Sequence, residues 1–196
     1  MKNKVLVGFA TLMMIAILTG CGKAPQTQID AVNAAIEEAK NAEAAVYLPD
    51  EFAALQNSMN AVMADIETQK GKLFKKFGDA KLKLDETLTQ ANQLTSSVAA
   101  KKEEVKAEVG SMMESARSVI EENKTLITKA PRGKEGAAVL EQIKSEMAAI
   151  ESSLAEVQTL NDNGSFMDAL NKLKAAMESA NSINTELKEA IAKVRR

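Results

Sequence analysis

No histidine occurs anywhere in the 196-residue chain, which also has no tryptophan, one tyrosine (Tyr47) and one cysteine (Cys21). Each absence removes a class of function. Without histidine there is no Ser-His-Asp arrangement, no imidazole general base and no histidine ligand for zinc. A single cysteine excludes a disulfide within the chain. Aromatic side chains make up only 3% of residues, which argues against a platform on which bases or sugars stack. Lys and Arg together number 25 against 27 acidic residues, so a basic nucleic-acid footprint is missing as well. The expectation is a protein that is not an enzyme, with no resident cofactor or metal and no nucleic-acid partner.

The ionisable clusters that remain carry structural readings. Glu37-Glu38, Glu103-Glu104 and Glu121-Glu122 are neighbours in sequence, and adjacent helix positions point about 100° apart, so they do not converge on one bond. Asn161-Asp162-Asn163-Gly164 resembles part of a calcium loop, but with Gly164 at its sixth position Leu170 stands where a bidentate glutamate belongs. It reads as a turn. Lys70, Lys72, Lys75 and Lys76 form a basic cluster near the end of a helix. Contact with anionic lipid or wall polymer is one reading; a solvated helix face is favoured, because the second half of the chain has no matching cluster. Met59, Met63, Met112, Met113, Met147 and Met177 lie mostly in register with the apolar stripes, which favours core packing over an adaptable client groove.

Alanine, leucine, glutamate and lysine dominate what is present, and apolar residues recur at steps of three and four, the helical period. No strand pattern competes. A first helix is expected over about residues 28–46, started by Thr27 with Asp30 and carrying Ile29, Val32, Ile36 and Ala39. Tyr47-Leu48-Pro49 stops it and Asp50 caps the next. That helix, with Phe52, Leu55, Met59, Val62, Ile66 and Leu73, runs to about Phe77, and Gly78-Asp79 is the following turn. A third pattern runs from Leu84, Leu88, Ala91, Leu94 and Val98 through Val105, Val109, Met112, Ala116 and Val119 to near Lys129, with Gly110 its only weak point. Ala130-Pro131-Arg132-Gly133 repeats the stop. Leu140, Ile143, Met147, Ile150, Leu154 and Val157 mark the next helix. Ser165 with Asp168 caps the last, which holds Phe166, Leu170, Leu173, Met177, Ala180, Ile183, Leu187, Ile191 and Val194.

The spacing also exposes a repeat. Ile36-Glu37-Glu38-Ala39-Lys40 matches Ile120-Glu121-Glu122-Asn123-Lys124, and Pro49 matches Pro131. Met59, Val62 and Ile66 match Met147, Ile150 and Leu154. Phe77, Asp79, Ala80, Lys83 and Leu84 match Phe166, Asp168, Ala169, Lys172 and Leu173, while Ala91, Asn92, Leu94 and Val98 match Ala180, Asn181, Ile183 and Leu187. The offsets are 84, 82, 88 and 89 residues. If each unit is helix, proline turn, helix, turn, helix, the third helix of the first unit runs into the first helix of the second. The expected fold is all-α: two tandem antiparallel three-helix bundles, residues 28–101 and 102–196, sharing one long central helix. That connectivity is similar to that of spectrin-type repeats in architecture alone. A strut of about fifty residues would span about 75 Å. One compact elongated bundle, folded back at Gly110, is the alternative.

The first twenty residues carry Lys2 and Lys4, then an apolar run from Val5 to Leu18, and no acidic residue. This is the layout of a signal peptide over residues 1–20, too short for a comfortable spanning helix. The small residues Thr19 and Gly20 invite cleavage between Gly20 and Cys21. Leu18-Thr19-Gly20-Cys21 resembles the bacterial lipoprotein lipobox. The resemblance implies a thioether lipid on Cys21, cleavage before it and acylation of the new amino terminus, with residues 21–27 as a lipid-anchored tether. Several acyl chains together make a lasting anchor where one holds only marginally. Gly22, where an aspartate would favour inner-membrane retention, resembles outer-membrane cargo. Loss of residues 1–20 removes two lysines and no acid, leaving 23 basic and 27 acidic side chains and a formal charge of −4.

The chain also resembles small alanine-rich helical lipoproteins of unknown function. Tyr47-Leu48-Pro49-Asp50-Glu51-Phe52 and Gly78-Asp79-Ala80 carry that likeness, and the second repeat departs from it at Arg132-Gly133. The expected role is a structural spacer or adaptor in a bacterial cell envelope, on the outer membrane facing the periplasm, with an envelope protein or the wall as partner and self-association open. A periplasmic binding module or holdase for apolar clients is the alternative. A Cys21→Ala variant is expected to leave the membrane fraction or to remain unprocessed, as fractionation with intact-mass measurement would show; unchanged membrane attachment would sink the anchor reading.

Overall fold

Apolar residues three and four apart give each segment one face that water disfavours, and the chain buries these faces against one another rather than in a sheet. The computed structural model describes residues 23–131 and 134–194; the signal segment, Gly20, Cys21, Gly22 and the Arg132-Gly133 pair lie outside the described residues. Among the described residues there are six helices and no strand: α1 (Gln26–Asn41), α2 (Ala44–Tyr47), α3 (Pro49–Lys70), α4 (Gly78–Lys129), α5 (Lys134–Asp162) and α6 (Phe166–Val194). The fold is all-α, with two antiparallel three-helix bundles in tandem on one central helix.

That helix is α4. Its 52 residues span about 78 Å. It passes Gly110 without a break, so the compact alternative folded at that residue is overturned. Its end is abrupt: Ala130 is extended (φ −71°, ψ 147°), as a residue before proline favours. A Cβ on Gly136 would lie 2.5 Å from the Pro131 carbonyl oxygen, closer than side chains allow.

Polar contacts fix the directions of the packed helices. Gln28 Nε2 donates to Asp85 Oδ1 (2.9 Å), and Glu43 pairs with Lys102 farther along, so α1 runs parallel to the first half of α4. Asp65 pairs with Lys83, which sets α3 antiparallel between them. In the second bundle Lys174–Glu108 (3.2 Å) and Lys188–Glu122 (2.8 Å) join α6 to α4 at two points two heptads apart on each helix, again parallel. Lys124–Glu151 (2.9 Å) and Lys172–Glu156 place α5 antiparallel to both. The first end of α4 therefore lies beside the start of α1 and its last turn beside the end of α6. The described chain begins at one pole of a rod and ends at the other.

The buried rows match between the halves. Phe52, Leu55, Met59, Val62 and Ile66 of α3 are buried, and so are Leu140, Ile143, Met147, Ile150 and Leu154 of α5, all 88 residues on. Ala80, Leu84, Thr87, Ala91, Leu94 and Val98 of α4 are buried, as are Ala169, Leu173, Ala176, Ala180, Ile183 and Leu187 of α6, all 89 residues on. The core has two parts. A small cluster of Ile29, Val32, Met59, Val62, Ile66, Phe77, Ala80 and Leu84 fills the first pole, and a larger one runs from Ala35, Leu55 and Ala91 to Leu187. They part at the level of Thr87, a buried hydroxyl satisfied by the Lys83 carbonyl at 2.7 Å.

Several expected boundaries move, each for a local reason. The first helix does not reach residue 46: Glu43 adopts φ 73°, the left-handed region, and the short α2 follows, with Ala44 and Tyr47 buried. Asp50 does not cap α3. Pro49 takes the first helical position after Leu48, and Asp50 and Glu51 sit in the first turn where the helix dipole favours them. Likewise α1 starts at Gln26 behind Pro25, with Gln26 Nε2 donating to Asp30 (2.8 Å), rather than at a Thr27 cap. The second long helix ends at Lys70, not Phe77, with Gly71 at its C-cap, and residues 71–77 form a loop. Leu73, expected on the buried face, is almost fully exposed. Gly78-Asp79 is no turn but the first step of α4, with Phe77 as the residue before it and Asp79 in the first turn. At the other bend α5 continues through Asp162, and the turn falls at Asn163 and Gly164 (φ 81°). Within α4 the more buried positions are Met113 and Ile120, one residue on from the expected Met112 and Val119.

Gly110 is helical, exposed, and has nothing within 4 Å of where a Cβ would stand. Replacing it with alanine is expected to stabilise the protein by about 0.5–1 kcal/mol, read as a higher urea midpoint at unchanged helicity. A lower midpoint would mean that the helix bends there in solution.

Candidate functional site

Neither Gly20 nor Cys21 is among the described residues, so the geometry begins two residues after the lipobox cysteine, at Lys23. Ala24 packs against the cluster of Ile29, Met59, Ile66, Phe77 and Leu84, and Pro25 leads into α1. The stretch following Cys21 is thus tied to the pole at which α3 ends and α4 begins. Around that pole run Lys70, Lys72, Lys75 and Lys76, none of them on a continuous helix face beyond Lys70.

The acidic pairs are brought to lysines, not to each other. Glu37 pairs with Lys40, Glu104 with Lys101, and Glu121 with Lys124 at helical spacing. Such exposed pairs contribute little each. Glu122 differs: the Lys188 ammonium, and after it the Asn184 amide, hold its carboxyl below the usual range. Lys124 is held above the ordinary lysine value by hydrogen bonds to Glu121 and then Glu151, and Lys83 is raised by Asp65. Among the described residues no three acidic or cysteine side chains gather as a metal-binding group. None of the described helices is long and apolar enough to cross a membrane.

The feature the sequence pattern concealed is Asn123. It stands in the stripe of α4 where the first half has Ala39, and both are fully buried. Its Nδ2 donates to the Ala180 carbonyl (2.8 Å), and its Oδ1 accepts from Asn184 Nδ2 (2.7 Å). With Glu122 and Lys188 alongside, a polar ladder crosses from α4 to α6 inside an otherwise apolar seam. Nothing reactive results: both amides are satisfied, and the arrangement fixes register, since a shift of one turn would leave a buried amide unpaired.

Cavities are shallow. One open groove between α5 and α6 is lined by Ala149, Ile150, Ser153, Ala175 and Ser179, and a second lies near the far pole between Leu126 and Ile191. Of the six methionines considered, Met59, Met113 and Met147 are buried and Met63, Met112 and Met177 pack partly buried against the core. They fill the seams instead of lining a groove. Midway along the rod Lys102 lies over the Tyr47 ring (5.2 Å) and Lys106 over the Phe166 ring (5.7 Å), so the inner turns of both bundles grip α4 one helical turn apart.

The chain matches no protein-family model, no curated protein and no solved structure.

Asn123→Ala would install the residue found at the matching position of the first half. It is expected to cost about 1–3 kcal/mol, measured by urea unfolding, because Asn184 loses a partner and a small void opens. An unchanged midpoint would mean the ladder holds nothing together.

Proposed function

We propose that this is a lipid-anchored helical protein of a bacterial envelope, held through Cys21 and acting as a spacer or adaptor that performs no chemistry. The observation that carries the proposal is the pairing of Leu18-Thr19-Gly20-Cys21 with a rod whose first described residue, Lys23, lies at one pole and whose last helix ends at the other. A chain fixed by lipid at Cys21 would present the ends of α4 and α6 about 78 Å away. Duplication of one three-helix unit is the simplest origin for the matched rows of α3 with α5 and of α4 with α6. Placement on the outer membrane, facing the periplasm, rests on Gly22. An envelope protein or the cell wall is the proposed partner, met by the lateral faces or the far pole.

The shallow grooves found among the described residues and the core-facing methionines favour this reading over the alternative role, capture of apolar clients. The test is height. With the lipidated protein on a supported bilayer and a fluorophore at the carboxyl terminus, energy transfer to a membrane dye should place the label roughly 75 Å or more above the surface. A label lying against the bilayer would overturn the spacer reading.

A further inference from the structure

Two large apolar side chains stand in open solvent at one end of this rod: Leu73 is 91% exposed and Phe74 81%. They are adjacent, at the tip of the 71–77 loop, and four lysines flank them in the run Lys70-Gly71-Lys72-Leu73-Phe74-Lys75-Lys76-Phe77, which holds no acid. Lys70 is paired with Glu67 at 2.6 Å; among the described residues no carboxylate pairs with Lys72, Lys75 or Lys76. Exposed leucine and phenylalanine side by side are disfavoured in water and need a reason.

The loop is held, not loose. Lys76 N–H donates to Gln69 Oε1 (3.4 Å), and Phe77 turns inward to 5% exposure among Ile29, Met59, Ile66 and Leu84. Ala24 packs against that same cluster. The loop tip and the residues after Cys21 therefore share a pole. One turn into α4, Lys81 and the exposed Leu82 extend the same mixture of charge and apolar surface. Nothing comparable exists at the matched bend of the second half: between Leu160 and Phe166 the chain reads Asn161-Asp162-Asn163-Gly164-Ser165, in the middle of the rod.

We propose that the 71–77 loop is a membrane-contact element, inserting Leu73 and Phe74 into the interfacial region of an anionic bilayer while Lys70, Lys72, Lys75 and Lys76 bind its phosphate head groups. The location of this surface against a bilayer rests on the proposed anchor at Cys21, but the chemistry of the loop does not. Charge complementarity selects the occupant. Over a chain whose net charge is −2, the run 70–77 concentrates four lysines without an acid, and an anionic surface attracts it. Lysines whose stems lie along apolar surface keep their ammonium groups at head-group level while the phenyl ring goes deeper. Near a charged membrane each lysine is worth about a fivefold gain in partitioning. With lipid at Cys21 and the loop both engaged, two points of contact set the inclination of the rod, which a single tether would leave free.

The test uses the lipid-free chain starting at Lys23, which contains all six helices, in co-sedimentation with vesicles of equal parts phosphatidylglycerol and phosphatidylcholine and with vesicles of phosphatidylcholine alone. Binding should be at least about tenfold tighter to the anionic vesicles and should weaken with added salt. Leu73→Ser with Phe74→Ser, and separately Lys72→Glu with Lys75→Glu, should each reduce it about tenfold or more at unchanged helicity, since all four side chains are exposed. Absence of binding by the unsubstituted chain, or binding that both double variants retain, overturns the proposal, whether the loop then proves to dock a protein or nothing. Because no lipid is attached in this experiment, its outcome stands apart from that of Cys21→Ala.

Discussion

Everything in this structure depends on α4 having two apolar stretches that no single partner covers. A helix of 52 residues with a polar face and a narrow apolar seam draws most of its stability from packing that seam against partners. Its first half is buried by α1 and α3 and its second by α5 and α6, so neither bundle is complete without a share of the same rod. The parallel course of α1 and α6 along α4, the antiparallel return of α3 and α5 and the opposite placement of the chain's two described ends are all consequences of this sharing. Alanines such as Ala39, Ala91, Ala116 and Ala180 in the seams leave room for close helix approach but bury little area apiece, which makes the ion pairs and the Asn123 ladder count for more in setting register.

The helical period carries most of the fold legibly. The stripes read for α3 and α5 are buried at Phe52, Leu55, Met59, Val62, Ile66 and at Leu140, Ile143, Met147, Ile150, Leu154 and Val157, because each is a clean three-four alternation with long side chains. Where periodicity misleads, a backbone event intervenes. Leu73 continues the spacing of α3, yet the helix stops at Lys70 and the side chain stands in solvent. Gly78-Asp79 carries turn residues, but Phe77 is anchored in the core and α4 starts from it. The bend at Glu43 left no signal, since a left-handed glutamate is a tertiary compromise supported by its pairing with Lys102. Asn123 was hidden for the opposite reason: it fits the apolar stripe by position, and only its contacts with Ala180 and Asn184 explain an amide there.

The candidate site divides the same way. Charge runs are visible in sequence; whether they lie on a helix face or on a loop is not. Four lysines on a helix would be a solvated stripe, whereas the loop gathers them around Leu73 and Phe74 at the pole where the chain follows Cys21. That difference turns on where α3 stops, at Lys70. The mid-rod contacts of Lys102 with Tyr47 and Lys106 with Phe166 were equally out of reach, because they join residues whose proximity depends on both bundles being in place.

The parallel alignment of α1, α4 and α6 bears on mechanical load. Traction applied between the first residues of α1 and the last of α6 acts along the helix axes, so yielding requires whole rows of packed side chains to slide past one another together, with no single turn at which a helix can be peeled away. The amide ladder at Asn123, where a shift of one turn would leave a buried amide unpaired, then stands against such sliding.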